Sequence, residues 1–225
     1  MKKYTTILFD ADNTLLDFTA AEEGAIRNTC LLLGVGYTDE VGRLYSAIND
    51  SLWKQFEKGE IERADIKIER FRRLIKRLEL PVLAERMAET YIKELSLQAP
   101  LIEGAEDMLK KLKTNYDMYI VTNGNAPVQR SRLNKSGILK YFGNVFISEE
   151  MGTQKPKKEF FDKVIEQIPE KDRRKICIVG DSMSSDILGG INSGIDTCWF
   201  QKYEKKELVK PTYSATSFEE ILKIF

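Results

Sequence analysis

The chain has 225 residues, 42% of them hydrophobic, which is enough for one large domain or for a domain that carries an insertion. Lys plus Arg equals Asp plus Glu at 35 each, so no net charge favours a nucleic-acid polymer or an acidic membrane as a partner. The sequence contains no histidine, which excludes serine–histidine hydrolysis and histidine-ligated metals.

The cysteines and the first residues of the chain indicate the cellular compartment that we expect for the protein. Cys30, Cys177 and Cys198 form no C-x-x-C pair, so they indicate a reducing cytoplasm and argue against a disulfide framework or a zinc site. Cys177 and Cys198 lie in apolar runs and are expected to be small core residues. No apolar run is long enough to span a bilayer. The start at Met1–Tyr4 leads directly into the first predicted strand, so we expect no signal peptide.

The first predicted strand, Ile7-Leu8-Phe9, is an apolar run typical of a buried parallel strand. It leads into Asp10-Ala11-Asp12-Asn13-Thr14, where two carboxylates stand one residue apart. In an extended chain, residues i and i+2 share a face, so Asp10 and Asp12 are expected to point the same way. Their mutual repulsion indicates a bound cation, and oxygen ligands suit Mg²⁺. Taken alone, the stretch is equally well explained as an Asp-Asn turn that ends a strand.

The next stretch predicts four helices and no strand. Thr19, with Glu22 three residues on, predicts a capping box for the first helix, which Gly34 and Gly36 end. The other helices are predicted at 39–58, at 62–79 and from Pro81 to about Leu97. The predicted inward faces are Ala25, Ile26, Thr29 and Leu33; Leu44, Ile48, Leu52 and Phe56; and Ile68, Phe71, Ile75 and Leu78. Seven basic residues of the third helix are expected to form a solvated face, with attraction of an anion as the alternative: Arg63, Lys67, Arg70, Arg72, Arg73, Lys76 and Arg77.

After the linker Gln98-Ala99-Pro100, predicted helices alternate with strands. The strands fall at 118–121, 145–147, 176–179 and 197–200, and the helices at 104–115, 127–137, after Pro156 to about 168, at 184–192 and after Ser217. This alternation predicts an α/β fold with a Rossmann-like, doubly wound parallel sheet. Residues 1–16 and 99–225 are the predicted core, and residues 17–98 an inserted, all-helical cap expected to stand over the carboxyl end of the sheet.

Polar residues suited to phosphoryl transfer follow four of the predicted strands. They are Asp10 and Asp12, Thr122 and Asn123, Lys155, and Asp181 with Asp186. A carboxylate can attack phosphorus and form an aspartyl-phosphate when Mg²⁺ and Lys155 offset its repulsion by the phosphate. The Thr122 hydroxyl and backbone N–H groups after the strands, including that of Asn123, can hold phosphate oxygens. Asp12 can protonate the leaving oxygen and then deprotonate the attacking water.

Each of these residues also has a plain structural explanation. Thr122 and Asn123 fit a turn after a strand, and Lys155 fits an exposed surface position. Asp181 with Ser182 fits a helix cap, and Asp186 fits the first turn of a helix, where it would complement the helix dipole. Their joint occurrence at four successive strand ends favours a single site for a small-molecule phosphate monoester.

These motifs resemble those of the haloacid dehalogenase-like superfamily of phosphohydrolases: Asp10 to Thr14, Thr122-Asn123-Gly124, Lys155-Pro156 and Gly180 to Asp186. The resemblance implies that Asp10 is the nucleophile and Asp12 the acid–base. It also implies that Mg²⁺ is held by Asp10, by the backbone carbonyl of Asp12 and by Asp181, with Asp186 behind them. The presence of Asp12 implies a phosphatase, since true dehalogenases of the superfamily lack that second aspartate.

A narrower resemblance, to the bacterial pyrimidine 5′-nucleotidase branch, rests on the segments at 148–152, 185–194 and 197–199. It implies hydrolysis of nucleoside 5′-monophosphates. A sugar-phosphate or phosphoglycolate phosphatase, or a phosphoglucomutase-like enzyme, is the alternative within the superfamily. A phospho-receiver module or a non-catalytic phosphate-binding module is the alternative of another class, although a receiver leaves Asp12 and the helical insert unexplained.

Overall fold

A computed structural model describes residues 3–201 and 209–225 of the chain. The chain divides into two compact units, one formed by Met1–Asp17 with Pro100–Phe225 and the other by Phe18–Ala99. Met1 and Lys2, on which the expectation of no signal peptide partly rests, lie outside the described residues. Among the helices of the described ranges, none combines the length and apolarity that crossing a bilayer requires.

The first unit is built on a six-stranded, fully parallel sheet. Its strands run β1 (Thr6–Phe9), β2 (Asp117–Thr122), β3 (Asn144–Ile147), β4 (Ile176–Gly180), β5 (Asp196–Phe200) and β6 (Tyr213–Ala215). Their order in the sheet is β3-β2-β1-β4-β5-β6. Strand β1 is central, and Phe9 pairs with Ile120 of β2 and Val179 of β4. Because all strands are parallel, the segments that follow β1, β2 and β4 meet at one edge of the sheet.

The second unit contains four helices, α1 (Phe18–Leu32), α2 (Asp39–Glu57), α3 (Arg63–Leu78) and α4 (Ala84–Leu97). Its interior includes an aromatic cluster, in which Tyr45, Phe71 and Tyr91 pack with ring centroids 5.1 to 5.4 Å apart. Helix α2 begins with an N-cap at Thr38, whose hydroxyl accepts a hydrogen bond from the Val41 amide.

Helices of the first unit cover both faces of the sheet. They are α5 (Ala105–Leu112), α6 (Ala126–Ser136), α7 (Ser148–Met151), α8 (Lys158–Gln167), α9 (Leu188–Asn192) and α10 (Phe218–Ile224). Side chains of β1 alternate between two apolar clusters, as strand geometry requires. Ile7 and Phe9 join a cluster with residues of α5 and α10, whereas Leu8 joins one with residues of α8. The predicted Rossmann-like α/β architecture is therefore confirmed.

Two predicted helix starts are wrong. Helix α1 begins at Phe18, so Thr19 lies inside it and is not its N-cap, and Glu22 instead accepts a hydrogen bond from Asn49. Helix α4 begins at Ala84, not at Pro81. The predicted helix at 184–192 opens with a π-helical turn at Met183–Ile187 before α9. Strand β6 was not predicted, because a run of only three residues carries little periodic signal.

The buried stripes of α2 and α3 also differ from the apolar pattern. In α2, Val41, Tyr45 and Asn49 are buried, whereas Leu44 and Ile48 are only partly covered. In α3 the predicted inward positions Ile68, Ile75 and Leu78 are partly exposed, whereas Ile66, Phe71 and Leu74 are buried. Arg70, expected on a solvated basic face, is buried too. Five of its six basic neighbours on α3 are exposed as predicted: Lys67, Arg72, Arg73, Lys76 and Arg77.

Candidate active site

Asp10 occupies the carboxyl end of the central strand. Its amide continues the sheet by donating to the Val179 carbonyl of β4, at 2.9 Å, and its side chain is buried. One carboxylate oxygen, Oδ1, accepts a hydrogen bond from Lys155 Nζ at 2.7 Å. The other, Oδ2, accepts one from the Thr14 hydroxyl at 3.3 Å. The backbone and two side chains thus fix this carboxylate at the edge of the sheet.

Lys155 is a buried cation at the centre of the site. Its ammonium group donates to Asp10 Oδ1 and Asp186 Oδ1, both at 2.7 Å, and to the Val121 carbonyl at 2.8 Å. Burial lowers the pKa of Lys155, but the two carboxylates raise it by more, so the pKa lies above its usual value and the side chain stays charged. The Asn123 side chain holds the Lys155 backbone, accepting from its amide at 3.1 Å and donating to its carbonyl at 2.9 Å.

Asp186 closes the site from the π-helical turn after β4. Its Oδ1 accepts from Lys155, and its Oδ2 accepts from the Ser182 amide at 3.0 Å. The carboxylate lies directly against Gly180, where an added Cβ would collide with it. The glycine at the end of β4 therefore makes room for Asp186, which in turn orders the segment that carries Asp181.

Three carboxylates converge at this edge of the sheet. Asp10, Asp181 and Asp186 each offer an oxygen, and the three oxygens lie within 4.8 Å of one another. Burial raises the pKa of Asp10 to about 7, helped by the charge of Asp186 and opposed by Lys155. Three carboxylates facing one ammonium leave two negative charges, which a divalent cation would neutralise. The donor set therefore fits Mg²⁺, which prefers carboxylate oxygens.

The Asp12 carboxylate bonds to partners on helix α6. Its Oδ1 accepts from Arg132 Nη1 at 2.5 Å, and its Oδ2 accepts from Gln129 Nε2 at 2.7 Å. The Gln129 amide also donates to the Thr122 hydroxyl at 2.8 Å, so Asp12 and Thr122 share a partner. The sequence did not reveal Gln129 or Arg132. Their three-residue spacing on α6 was the available signal, but spacing alone does not distinguish a buried pair from a surface pair.

The structure thus brings together every residue predicted for the site, in two connected groups. In the first group, Asp10 and Asp186 accept hydrogen bonds from the Lys155 ammonium, and the Asn123 side chain bonds to the Lys155 backbone. Asp181 joins Asp10 and Asp186 in the cluster of carboxylates. The second group, Asp12 and Thr122, is joined through Gln129. This arrangement offers a buried carboxylate beside a fixed cation, a candidate metal site and a second carboxylate.

A parallel sheet flanked by helices, with these residues at its carboxyl edge, is typical of one class of hydrolase. Residues 7–200 match the family model of the haloacid dehalogenase-like hydrolases, and the chain belongs to that family.

Three relatives match the chain over nearly its whole length. The chain is 38% identical to the HAD-hydrolase YfnB of Bacillus subtilis over all of this chain and 96% of that one. A crystal structure of YfnB bound to magnesium superposes with a TM-score of 0.94 at 37% identity, covering 99% of both chains. The chain is also 37% identical to the pyrimidine 5′-nucleotidase PynA of Streptococcus pneumoniae, over 97% of this chain and 94% of PynA. It is 34% identical to the pyrimidine 5′-nucleotidase YjjG of Escherichia coli, over 97% of this chain and 96% of YjjG.

Proposed function

We propose that this hydrolase is a Mg²⁺-dependent phosphomonoesterase that acts through an aspartyl-phosphate on nucleoside 5′-monophosphates. The observation that carries the proposal is the Asp10 carboxylate, held 2.7 Å from Lys155 Nζ inside a cluster of three carboxylates. The second carboxylate two residues on, Asp12, supplies the acid–base that hydrolysis needs. The substrate class rests on the similarity to PynA and YjjG over nearly the whole chain.

The reaction proceeds in two balanced steps. An Asp10 oxygen attacks phosphorus, the bond from phosphorus to the ester oxygen breaks, and the leaving nucleoside oxygen takes a proton from Asp12. Water then attacks the aspartyl-phosphate and gives a proton to Asp12, while the bond from phosphorus to the Asp10 oxygen breaks. Inorganic phosphate leaves, the Asp10 carboxylate is regenerated, and Asp12 again carries the proton.

The other residues lower the electrostatic cost of the first step. The Lys155 ammonium offsets the repulsion between the Asp10 carboxylate and the phosphate dianion. Thr122 and the main-chain N–H of Asn123 would donate to phosphate oxygens, and the Asn123 side chain positions Lys155. Mg²⁺, held by Asp10, the Asp12 carbonyl and Asp181, would supply further positive charge. The contacts of Asp186 with Lys155 and Ser182 support a role in orienting the Lys155 ammonium and the segment that carries Asp181.

The test is phosphate release from a panel of pyrimidine and purine 5′-monophosphates, sugar phosphates and phosphoglycolate, each with Mg²⁺ and with excess chelator. We expect the highest kcat/KM on pyrimidine 5′-monophosphates and no turnover in chelator. Preference for a sugar phosphate or phosphoglycolate would retain the phosphatase mechanism and overturn the nucleotide assignment. Failure to release phosphate from any ester would favour a phosphate-binding or phospho-receiver module.

A further inference from the structure

Side chains of helix α6 donate a hydrogen bond to each oxygen of the Asp12 carboxylate. Arg132 and Gln129 stand three residues apart on one face of the helix and supply one donor each, at 2.5 and 2.7 Å. The Arg132 side chain is only 1% exposed, whereas that of Asp12 is 27% exposed. The donors are therefore buried in the core, and the open side of Asp12 is its approach for an incoming group.

The two donors are also tied to each other, since Arg132 Nη1 donates to Gln129 Oε1 at 3.3 Å. A buried guanidinium or amide without partners is costly, so the fold specifies this arrangement. Each carboxylate oxygen has two lone pairs and receives one bond from α6. One lone pair on each oxygen remains available to carry the proton that Asp12 transfers.

Gln129 also sets the direction of the Thr122 hydroxyl. The Thr122 oxygen accepts from Gln129 Nε2 at 2.8 Å and from the Gly124 amide at 3.1 Å. A hydroxyl oxygen has two acceptor lone pairs, so with both engaged its O–H group is turned outward as a donor. A phosphate oxygen at the end of β2 is the acceptor that such a donor suits.

The Gln129 side chain also explains why a glycine stands at position 124. A Cβ at Gly124 would lie 2.5 Å from Gln129 Nε2 and 2.5 Å from Gln129 Cγ. The segment after β2 therefore lacks a side chain at the point where Gln129 crosses it to reach Thr122. The absence of a side chain at Gly124 thus leaves the space that Gln129 occupies in the site.

We propose that Gln129 and Arg132 are positioning residues: both orient the Asp12 carboxylate for proton transfer, and Gln129 also turns the Thr122 hydroxyl toward the phosphate. This inference rests on the proposed phosphomonoesterase function. It assigns to residues of α6 the task of orienting the groups that act in the acid–base step. Arg132 acts through Asp12, whereas Gln129 acts on both the proton donor and a phosphate donor.

The experiment compares Arg132→Met and Gln129→Met with the wild-type protein on two esters. Rapid-quench measurement of the phosphorylation step uses a pyrimidine 5′-monophosphate, whose leaving oxygen needs a proton, and p-nitrophenyl phosphate, whose leaving group does not. We expect Arg132→Met to slow the nucleotide by about 10- to 10²-fold and the nitrophenyl ester by at most about 3-fold. Gln129→Met should slow both esters, because Gln129 also positions Thr122, and should slow the nucleotide more. Gln129→Met should also weaken inhibition by inorganic phosphate, and Arg132→Met should not.

Arg130→Met is the matched control, because Arg130 lies on the same helix, is 47% exposed and pairs with Glu150 at the surface. We expect that variant to retain wild-type rates on both esters. Circular dichroism checks that each variant is folded. If Arg132→Met does not fold, Gln129→Met alone tests whether α6 positions the Asp12 carboxylate. In an Asp12→Ala background, Arg132→Met should cause no further slowing of the nucleotide.

Equal slowing of both esters would overturn the positioning role, since damage to the fold does not discriminate between leaving groups. An additional loss from Arg132→Met in the Asp12→Ala background would overturn it as well. A wild-type protein that hydrolyses neither ester would instead contradict the proposed function.

Discussion

Glu22 is a buried acid in the helical unit whose ionisation is expected to weaken the fold. Its Oε1 accepts a hydrogen bond from Asn49 Nδ2 at 2.8 Å, and Asn49 in turn accepts from Arg70 Nη1 at 3.1 Å. Burial raises the pKa of Glu22 from its ordinary 4.5 to about 7, aided by the charge of Asp50 and opposed by hydrogen bonds from Ser46 and Asn49 and by the charge of Arg70.

The raised pKa fixes the sign and the size of the effect on stability. Between 4.5 and about 7, the folded chain keeps the Glu22 proton and the unfolded chain does not. Stability therefore falls as pH rises through this window. At 1.36 kcal/mol per pKa unit, the difference between 4.5 and about 7 corresponds to a loss of about 3 kcal/mol, complete above about pH 7.

The test is Glu22→Gln, which keeps the shape and the hydrogen-bonding oxygen of the side chain and cannot ionise. Free energies of unfolding are measured by urea denaturation, followed by circular dichroism, at several values between about pH 4.5 and pH 8. We expect the variant and the wild type to have similar stability near pH 4.5. The variant should become more stable by up to about 3 kcal/mol near pH 8.

Glu23→Gln is the control, because Glu23 adjoins Glu22 in sequence, is 56% exposed and pairs with Arg27 at 2.7 Å. Removing this surface pair should shift stability by less than about 1 kcal/mol and leave the pH profile unchanged. A constant difference between Glu22→Gln and the wild type from about pH 4.5 to pH 8 would refute the reasoning.

Three further predictions concern the proposed active site. Chelation should abolish activity and Mg²⁺ should restore it, because three carboxylates face one ammonium; full turnover in excess chelator would contradict the metal assignment. Asp10→Asn should remove turnover and keep the circular dichroism spectrum, since the amide is nearly isosteric but is not a nucleophile; residual turnover after deamidation is excluded would contradict the covalent route. Asp12→Ala should slow nucleotide phosphorylation by ~10²–10⁴-fold, with a smaller loss for p-nitrophenyl phosphate; equal losses would argue against Asp12 as the leaving-group acid.

The order of strands and helices in the core could be predicted because it depends on local patterns. The apolar run before Asp10 and the repeated alternation of helix with strand each indicate an element from neighbouring residues alone. A parallel sheet places the carboxyl ends of its strands along one edge, so the grouping of Asp10, Thr122, Lys155 and Asp181 followed from their positions after predicted strands.

Residue partners within the helical unit were decided by the tertiary structure. Hydrophobic periodicity identifies which side of a helix is apolar, but it does not reveal which polar side chains are buried with it. Asn49 and Arg70 are buried because they form a chain of hydrogen bonds with Glu22, and these partners come from three different helices. The basic pattern of α3 therefore predicted solvation for Arg70, whereas its long-range partners determined its burial.

The same distinction holds at the active site. The sequence specifies which residue types follow each strand, and therefore the chemistry available at the edge of the sheet. Only the tertiary structure brought Gln129 and Arg132 to Asp12, across sequence separations of 117 and 120 residues. A buried polar side chain must find a partner, and the identity of that partner depends on the packing of the whole sheet and its helices.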